Sequence, residues 1–95
     1  MKGGASMPNP IVTRLLSCEG DDYLLFAEQP VEDGHGAWET RVGLLQGDKE
    51  ILSLTIGGCD SLQSLLLALS VAKSWLVAKG GFTFDGNNDL MLPDI

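Results

Sequence analysis

Apolar and polar residues alternate along two segments in the middle of the chain. In residues 38–46 one set, which includes Trp38, Val42 and Leu44, alternates with a more polar set, and residues 51–56 repeat the pattern. A period of two is typical of β-strands that bury one face. The GDKE segment between them indicates a tight turn, so we expect these two strands to pair in antiparallel orientation.

Two earlier segments also have the composition of strands. Residues 11–17 are β-branched at their start and end at the turn-forming CEGDD, and residues 23–29 contain the apolar run LLFA. Residues 30–37, PVEDGHGA, form the longest connection, in which Pro30 limits ladder pairing. Because parallel strands need long crossovers and these connections are short, the four strands are predicted to form an antiparallel meander.

Residues 59–81, CDSLQSLLLALSVAKSWLVAKGG, carry the strongest helical pattern in the sequence. Asp60 and Gln63 have the spacing of a capping box and Gly80 is a typical helix stop, so the helix should cover residues 61–79. We therefore predict an α+β fold of order β-β-β-β-α, in which a four-stranded antiparallel sheet packs on one long C-terminal helix. The FTF segment after the helix is a candidate fifth strand.

The two sides of the predicted helix differ in composition. At about 100° per residue, one side forms a stripe that should pack on the sheet. That stripe contains Leu62, Leu65, Ala68, Leu69, Ala72, Trp75 and Leu76. The opposite side contains Gln63, Leu66, Leu67, Ser70, Ser74 and Val77. Scattered exposed leucines are common, but an uncharged helix back also suits contact with a second copy or another protein, so this second set is the candidate interface.

The composition indicates one acidic globular domain. The 95 residues are 44% hydrophobic, and 13 Asp and Glu against 6 Lys and Arg leave a net charge of −7. We expect residues 1–10 to form a flexible lead and residues 11–95 a single domain. An acidic surface repels nucleic acids and anionic membranes, so the expected partner is a protein. MKGGASMPNP lacks the pattern of a secretory signal and two cysteines are too few for a disulfide scaffold, so a cytoplasmic location is expected.

Few residues suggest chemistry. His35 lies near Glu32 and Asp33, but one histidine with loop carboxylates is a weak metal signal. Residues 85–89, DGNND, supply oxygens at calcium-loop spacing without the sixth-position glycine, which favours a simple turn. We therefore expect no metal, cofactor or catalytic residue. The alternative is a cysteine-dependent enzyme that uses Cys59 at the helix start, with His35 as its base.

One motif resembles a known family. A strand that carries Trp38 is followed by G-x-D-S-x-Q-x-L-x-L-A at the helix start, and this order is similar to that of a family of small bacterial proteins of unknown function. The matching motif residues are Gly58, Asp60, Ser61, Gln63, Leu65, Leu67 and Ala68. The resemblance covers roughly residues 11–93, implies a compact strand-rich domain with one main helix, and brings no catalytic residues.

These observations predict a non-catalytic protein-interaction module that self-associates, most simply as a homodimer. Small acidic α+β proteins of bacteria also resemble antitoxins and immunity proteins. Binding of a toxin is therefore an alternative, at the level of size, charge and fold class.

Overall fold

Six strands and one helix follow one another along residues 9–94, which are the residues that the computed structural model describes. The elements are β1 (Pro10–Cys18), β2 (Asp21–Glu28), β3 (Val31–Glu32), β4 (Trp38–Gln46), β5 (Lys49–Gly58), α1 (Ser61–Lys79) and β6 (Phe82–Thr83). The expected N-terminal lead lies outside the described residues from position 1 to position 8, and Pro10 already belongs to β1.

The predicted α+β fold and its antiparallel meander are confirmed. The four long strands β1, β2, β4 and β5 pair antiparallel with their neighbours in chain order, and α1 packs on one face of the sheet. The short β6 pairs with β1 through Ser17 and Cys18, so the candidate fifth strand is present. The long strands are joined by short connections, which is why neighbouring strands run in opposite directions.

Residues 30–37 contain a strand that the sequence pattern did not predict. The two residues of β3 pair with the start of β4. The turn after β3 is closed by Asp33, whose backbone N–H donates to the Ala37 carbonyl at 2.9 Å and whose Oδ1 accepts from the His35 N–H at 2.7 Å. As expected, Pro30 interrupts the hydrogen-bonding ladder. The interruption separates β3 from β2, but both strands pair with β4.

The predicted capping box starts α1. The Asp60 carboxylate accepts from the Gln63 backbone N–H at 2.7 Å, and the Gln63 Oε1 accepts from the Cys59 N–H at 2.6 Å. These two bonds satisfy donors that a helix N-terminus would otherwise leave without partners. At the other end Gly80 adopts a φ of 80° and its N–H donates to the Leu76 carbonyl at 2.9 Å, so the helix ends where the sequence predicts.

The core lies between α1 and one face of the sheet, and the C-terminal segment closes its side. The buried apolar side chains of this cluster are Leu16, Leu25, Ala27, Val42, Leu44, Ala68, Ala72, Leu76 and Leu90. Arg14 of β1 holds the C-terminal segment in place. Its Nη1 donates to the carbonyls of Leu90 at 2.9 Å and Met91 at 2.8 Å, and its guanidinium lies 4.2 Å from the ring centroid of Phe84.

The predicted core stripe of α1 is confirmed except at Leu62, and the helix is rotated so that Ser64 is buried as well. The residues of α1 that are buried are Ser64, Ala68, Ala72 and Leu76. Leu62, which was expected in the core, is 63% exposed. The buried Ser64 hydroxyl lies 2.8 Å from the Thr40 hydroxyl of β4, and a Cβ on Gly58 would come within 2.6 Å of the Ser64 nitrogen. The helix therefore meets the sheet through the small residues Ser64, Ala68 and Ala72 and, near its end, through Leu76.

The sheet face opposite α1 is partly covered by its own side chains. Phe26 is only 1% exposed because its ring lies over Gly43 of β4, where a Cβ would come within 2.6 Å of the ring. The Arg41 guanidinium lies 5.2 Å from the Phe26 centroid and forms ion pairs with Glu28 and Glu50. These contacts link β2, β4 and β5 on the face that α1 leaves open.

Candidate interaction surface

The strand β5 has an unpaired outer edge. It pairs along its length with β4, and no other strand within residues 9–94 pairs with it. β5 contains 10 residues. An unpaired edge of this length presents a row of backbone N–H and C=O groups to which another strand can hydrogen-bond.

Little in β5 would hinder such pairing. One bulge interrupts it at Ile51, between the pairs formed by Leu44 and Leu45 of β4. From residue 52 onward the strand is regular, with half-buried apolar side chains under α1 alternating with exposed side chains on the open face. Charged residues, prolines and bulges are the usual protection of an edge strand, and residues 52–58 contain none of them.

One flank of α1 lies beside this edge. The helix contacts β4 and β5 about equally and β2 far less, so it lies over the β5 side of the sheet. Its other flank is occupied, because Leu69 packs beside Leu92 of the C-terminal segment and Lys73 pairs with Asp94 at 3.6 Å. At about 100° per residue, the flank on the β5 side carries four small or apolar side chains. These are Leu67, Val71, Ser74 and Ala78.

The unpaired edge of β5 from residue 52 to residue 56 and these four side chains together form what we call the β5–α1 surface. The strand supplies backbone hydrogen-bonding groups, and the helix supplies an apolar wall beside them. Val71 is 39% exposed, and Leu67 is half-buried. The arrangement suits an occupant that adds a strand and packs an apolar side chain or helix against α1.

The six predicted interface residues are spread over the outer half of α1. Leu67 and Ser74 belong to the β5–α1 surface, whereas Leu66, Ser70 and Val77 lie farther round the helix, away from the sheet. Gln63 is exposed but its backbone and side chain are engaged in the helix cap. The sequence interpretation missed Val71, Ala78 and the strand edge.

A lack of charge is the signal that marks this surface in the sequence. Between residues 51 and 72 the chain contains a single charged residue, Asp60, and that residue caps the helix. Acidic side chains gather elsewhere, at the turn between β1 and β2 and in the segment after β6. The β5–α1 surface therefore carries almost none of the chain's net charge of −7.

The composition of α1 agrees with a surface left for contacts. By length and apolar composition alone it is the one helix within residues 9–94 that could cross a membrane, although core helices pass the same test. Only 22% of its most apolar window is buried in the fold. Leu62, Val71 and Val77 of α1 are exposed, so part of its apolar surface lies outside the domain's own core.

The candidate chemical residues lie apart from the β5–α1 surface and from one another. Cys59 is exposed at the helix start, and His35 lies in the turn after β3; no hydrogen bond joins the two in the described part of the chain. Nor do any three His, Cys, Asp or Glu side chains of residues 9–94 approach closely enough to hold a metal ion. In the DGNND segment, the Asn87 and Asp89 side chains accept from backbone N–H groups two residues later, at 3.0 and 2.9 Å.

A small apolar pocket lies on the other flank of α1. Leu25, Ala27, Leu69 and Leu92 are among its lining residues, and its volume is about 90 Å³. Sites for small organic ligands usually enclose roughly 300 Å³ or more. This pocket is therefore better described as imperfect packing between α1 and the C-terminal segment.

Comparisons with protein-family models, with curated proteins and with solved structures found no match to this chain. The resemblance carried by the motif at the helix start remains a prediction. The functional interpretation rests on the geometry of the β5–α1 surface.

Proposed function

We propose that this domain is a non-catalytic protein-interaction module and that its contact surface is the β5–α1 surface. The observation that carries the proposal is the unpaired edge of β5 beside an uncharged apolar flank of α1. Either feature alone is common. Together they give a partner both a directional set of hydrogen bonds and an apolar area to bury.

Binding would proceed by strand addition. An extended segment of the partner aligns with β5 and exchanges backbone hydrogen bonds with its outer edge. These bonds fix the direction and register of the partner, whereas burial of Leu67 and Val71 supplies much of the free energy, at about 25 cal/mol per Å² of apolar surface removed from water. No bond is made or broken in the partner, so the module acts by bringing chains together.

The rival interpretation, a thiol enzyme centred on Cys59, needs a base that orients and deprotonates the thiol. The backbone N–H of Cys59 donates to the Gln63 amide oxygen, and the adjacent Asp60 carboxylate accepts from the Gln63 N–H in the helix cap. Among the described residues, no hydrogen bond joins a base to the Cys59 thiol. We therefore expect Cys59 to react with iodoacetamide no faster than an ordinary exposed thiol. Alkylation many times faster than that of a short cysteine peptide would favour the enzyme.

The proposed contact can be tested by photo-crosslinking in cells that produce the full chain. A photoreactive amino acid placed at Thr55, an exposed position of β5, should give a specific crosslinked protein product. The matched control is the same amino acid at Thr13, an exposed position of β1 on the same face of the sheet. Absence of a product from Thr55, or equal products from both positions, would overturn the proposal.

The mass of the product identifies the kind of partner. A product of twice the chain mass of 10.1 kDa would indicate a second copy. A product that contains a different chain would instead indicate a dedicated partner, as an immunity protein or antitoxin would have.

Both cysteines are free, which suits the reducing cytoplasm that we propose as the location.

A further inference from the structure

We propose that the occupant of the β5–α1 surface is a second copy of this chain, with the two β5 strands paired antiparallel about a twofold axis beside Leu54. This inference rests on the proposed function and names its partner. Pairing of the two edges would join the two sheets into one continuous sheet. Both copies of α1 would then lie on the same side of it.

The spacing of the elements favours a second copy. α1 contacts β4 and β5 about equally and β2 far less, so it lies over the β4–β5 pair. With strands about 4.8 Å apart, a helix axis midway between β4 and β5 would come about 10 Å from its symmetry mate when the two edges pair. Packed helices have interaxial distances of about 8–10 Å. The same movement that pairs the strands would therefore bring the two helices into contact, without further adjustment of either copy.

The side chains at that contact are small enough to allow it. The flank of α1 that faces β5 presents Val71, Ser74 and Ala78, with Leu67 as its largest member. Helices related by a twofold axis across β5 would run antiparallel, so residues near the start of one helix would meet residues near the end of the other. Leu67 of one copy would then lie against the small side chains around Ser74 of the other copy.

The charge distribution also favours a second copy over a basic partner. Two chains of net charge −7 repel one another unless they meet where neither carries charge. Residues 51–59 and 61–72 contain no charged side chain, so this surface can face a copy of itself with little repulsion. A basic partner would find no carboxylate along the strand edge from residue 52 to residue 56.

The pattern of β5 selects the register. Side chains that face each other across an antiparallel pair lie on the same face of the sheet, so possible registers differ in steps of two residues. With the axis at Leu54, Leu52 of one copy faces Ile56 of the other on the helix side, and Ser53 faces Thr55 on the open side. Moving the axis to Ser53 would bring the bulge at Ile51 into the pairing. Moving it to Thr55 would pair Ser53 and Leu52 with Gly57 and Gly58, which have no side chains.

The first test is the mass of the purified full-length chain in solution. Sedimentation or light scattering over a wide concentration range should give twice 10.1 kDa. Thr55→Lys places a charge at the paired edge, opposite Ser53 of the other copy and diagonally across from the same charge on that copy, and should halve the mass. The matched Thr13→Lys at the other edge should leave the mass doubled. Both positions are exposed, so both variants should fold. A chain that is monomeric throughout, or a mass unchanged by Thr55→Lys, overturns the inference.

The second test addresses the register. In a background with Cys18→Ser and Cys59→Ser, single cysteines are placed at Ser53, Leu54 and Thr55 in turn. Mild oxidation should link the two copies fastest at Leu54, because only a residue on the axis faces its own counterpart within disulfide distance. Faster linkage at Ser53 or Thr55 contradicts the register, and open aggregates in place of a finite dimer contradict the twofold axis.

The two proposals can fail separately. If the purified chain is monomeric but the crosslinker at Thr55 still captures a different protein in cells, the interaction module stands and the second copy does not. If neither the mass nor the crosslinking depends on the β5 edge, both proposals are wrong.

Discussion

The two edges of the sheet are built differently. At the β1 edge, Pro10 lacks a backbone donor, a bulge lies between Pro10 and Val12, β6 pairs with Ser17 and Cys18, and Arg14 clamps the C-terminal segment alongside. At the β5 edge, the described residues provide one bulge and no covering segment. Natural sheets usually protect their edges with such devices. In β5 the charged residues and the bulge are confined to residues 49–51, so residues 52–58 are a candidate for a contact.

Exposed apolar side chains alone would point to the β1 edge. Ile11 and Leu15 of β1 are 50% and 59% exposed, whereas the apolar residues of β5 are half-buried under α1. The backbone distinguishes the two edges, because strand addition needs a regular row of unpaired N–H and C=O groups. We therefore base the proposed contact on the unpaired backbone of β5 and not on the exposure of side chains at β1.

The largest effect is expected where α1 is fastened beside β5. Gly58→Ala places a Cβ within 2.6 Å of the backbone nitrogen of Ser64, an atom that cannot move without shifting the helix. We expect the free energy of unfolding to fall by about 3 kcal/mol, as for severe overpacking, measured by urea denaturation. The matched control is Gly57→Ala, whose Cβ would lie 3.7 Å from the Trp38 carbonyl oxygen, an ordinary contact. Equal losses for the two variants would show that the close approach of α1 to Gly58 is wrong.

The next effect concerns the protected edge. Arg14→Ala removes two hydrogen bonds to carbonyls and a contact with Phe84. We expect a loss of about 2 kcal/mol, because hydrogen bonds from charged donors contribute more than neutral ones. Hydrogen exchange should show the segment around Leu90 opening while β5 is unaffected. Arg14→Lys keeps the charge but loses the guanidinium that donates to both carbonyls, so it should retain only part of the stability. An unchanged exchange rate at Leu90 would contradict the clamp.

A smaller effect is expected at the buried hydroxyl pair. The Ser64 hydroxyl donates to the Ser61 carbonyl at 3.1 Å, so the Thr40 hydroxyl, 2.8 Å away, donates to Ser64. Ser64→Ala leaves the Thr40 donor buried without an acceptor and should lower the free energy of unfolding by about 1–2 kcal/mol. Adding Thr40→Val should recover part of that loss, which thermal unfolding of the single and double variants would measure. If the double variant loses as much free energy of unfolding as the two single variants lose together, the two hydroxyls do not interact directly.

The smallest expected effect is a difference in amide hydrogen exchange between the β5 edge and the β1 edge. Backbone amides of residues 52–56 should exchange more slowly as protein concentration rises, because pairing of two copies protects them, whereas amides of residues 11–16 should not change. We expect a modest fold-change, since the domain's own pairing already protects part of β5. Mass spectrometry of exchanged peptides measures both regions in one experiment. Equal concentration dependence at β1 and β5 would remove the distinction between the edges.

The features that could be predicted from the sequence depend on neighbours along the chain. The alternation in residues 38–46 predicted a strand whose bounds coincide with β4. The capping box at Asp60 and Gln63 and the stop at Gly80 predicted the full extent of α1. These signals are local, because strand period, capping and left-handed glycine conformations each involve residues within a few positions of one another.

The features that could not be predicted depend on contacts between distant residues. The rotation of α1 buries Ser64 and exposes Leu62 because Thr40 and Gly58 lie beneath the first turn of the helix. A helical wheel ranks leucine above serine for the core and contains no information about what lies opposite. β3 was missed for a related reason, since its two residues become a strand only through pairing with β4.

The candidate surface shows the same division. The uncharged stretch from residue 51 to residue 72 and the apolar back of the helix are visible in the sequence. That β5 is an outer strand, and that one flank of α1 lies beside it while the other is occupied by Leu92 and Asp94, follows only from the packing. Local periodicity determines which elements form, because it acts within a few residues. The tertiary structure decides which edge and flank remain open, because that depends on how all the elements share one core.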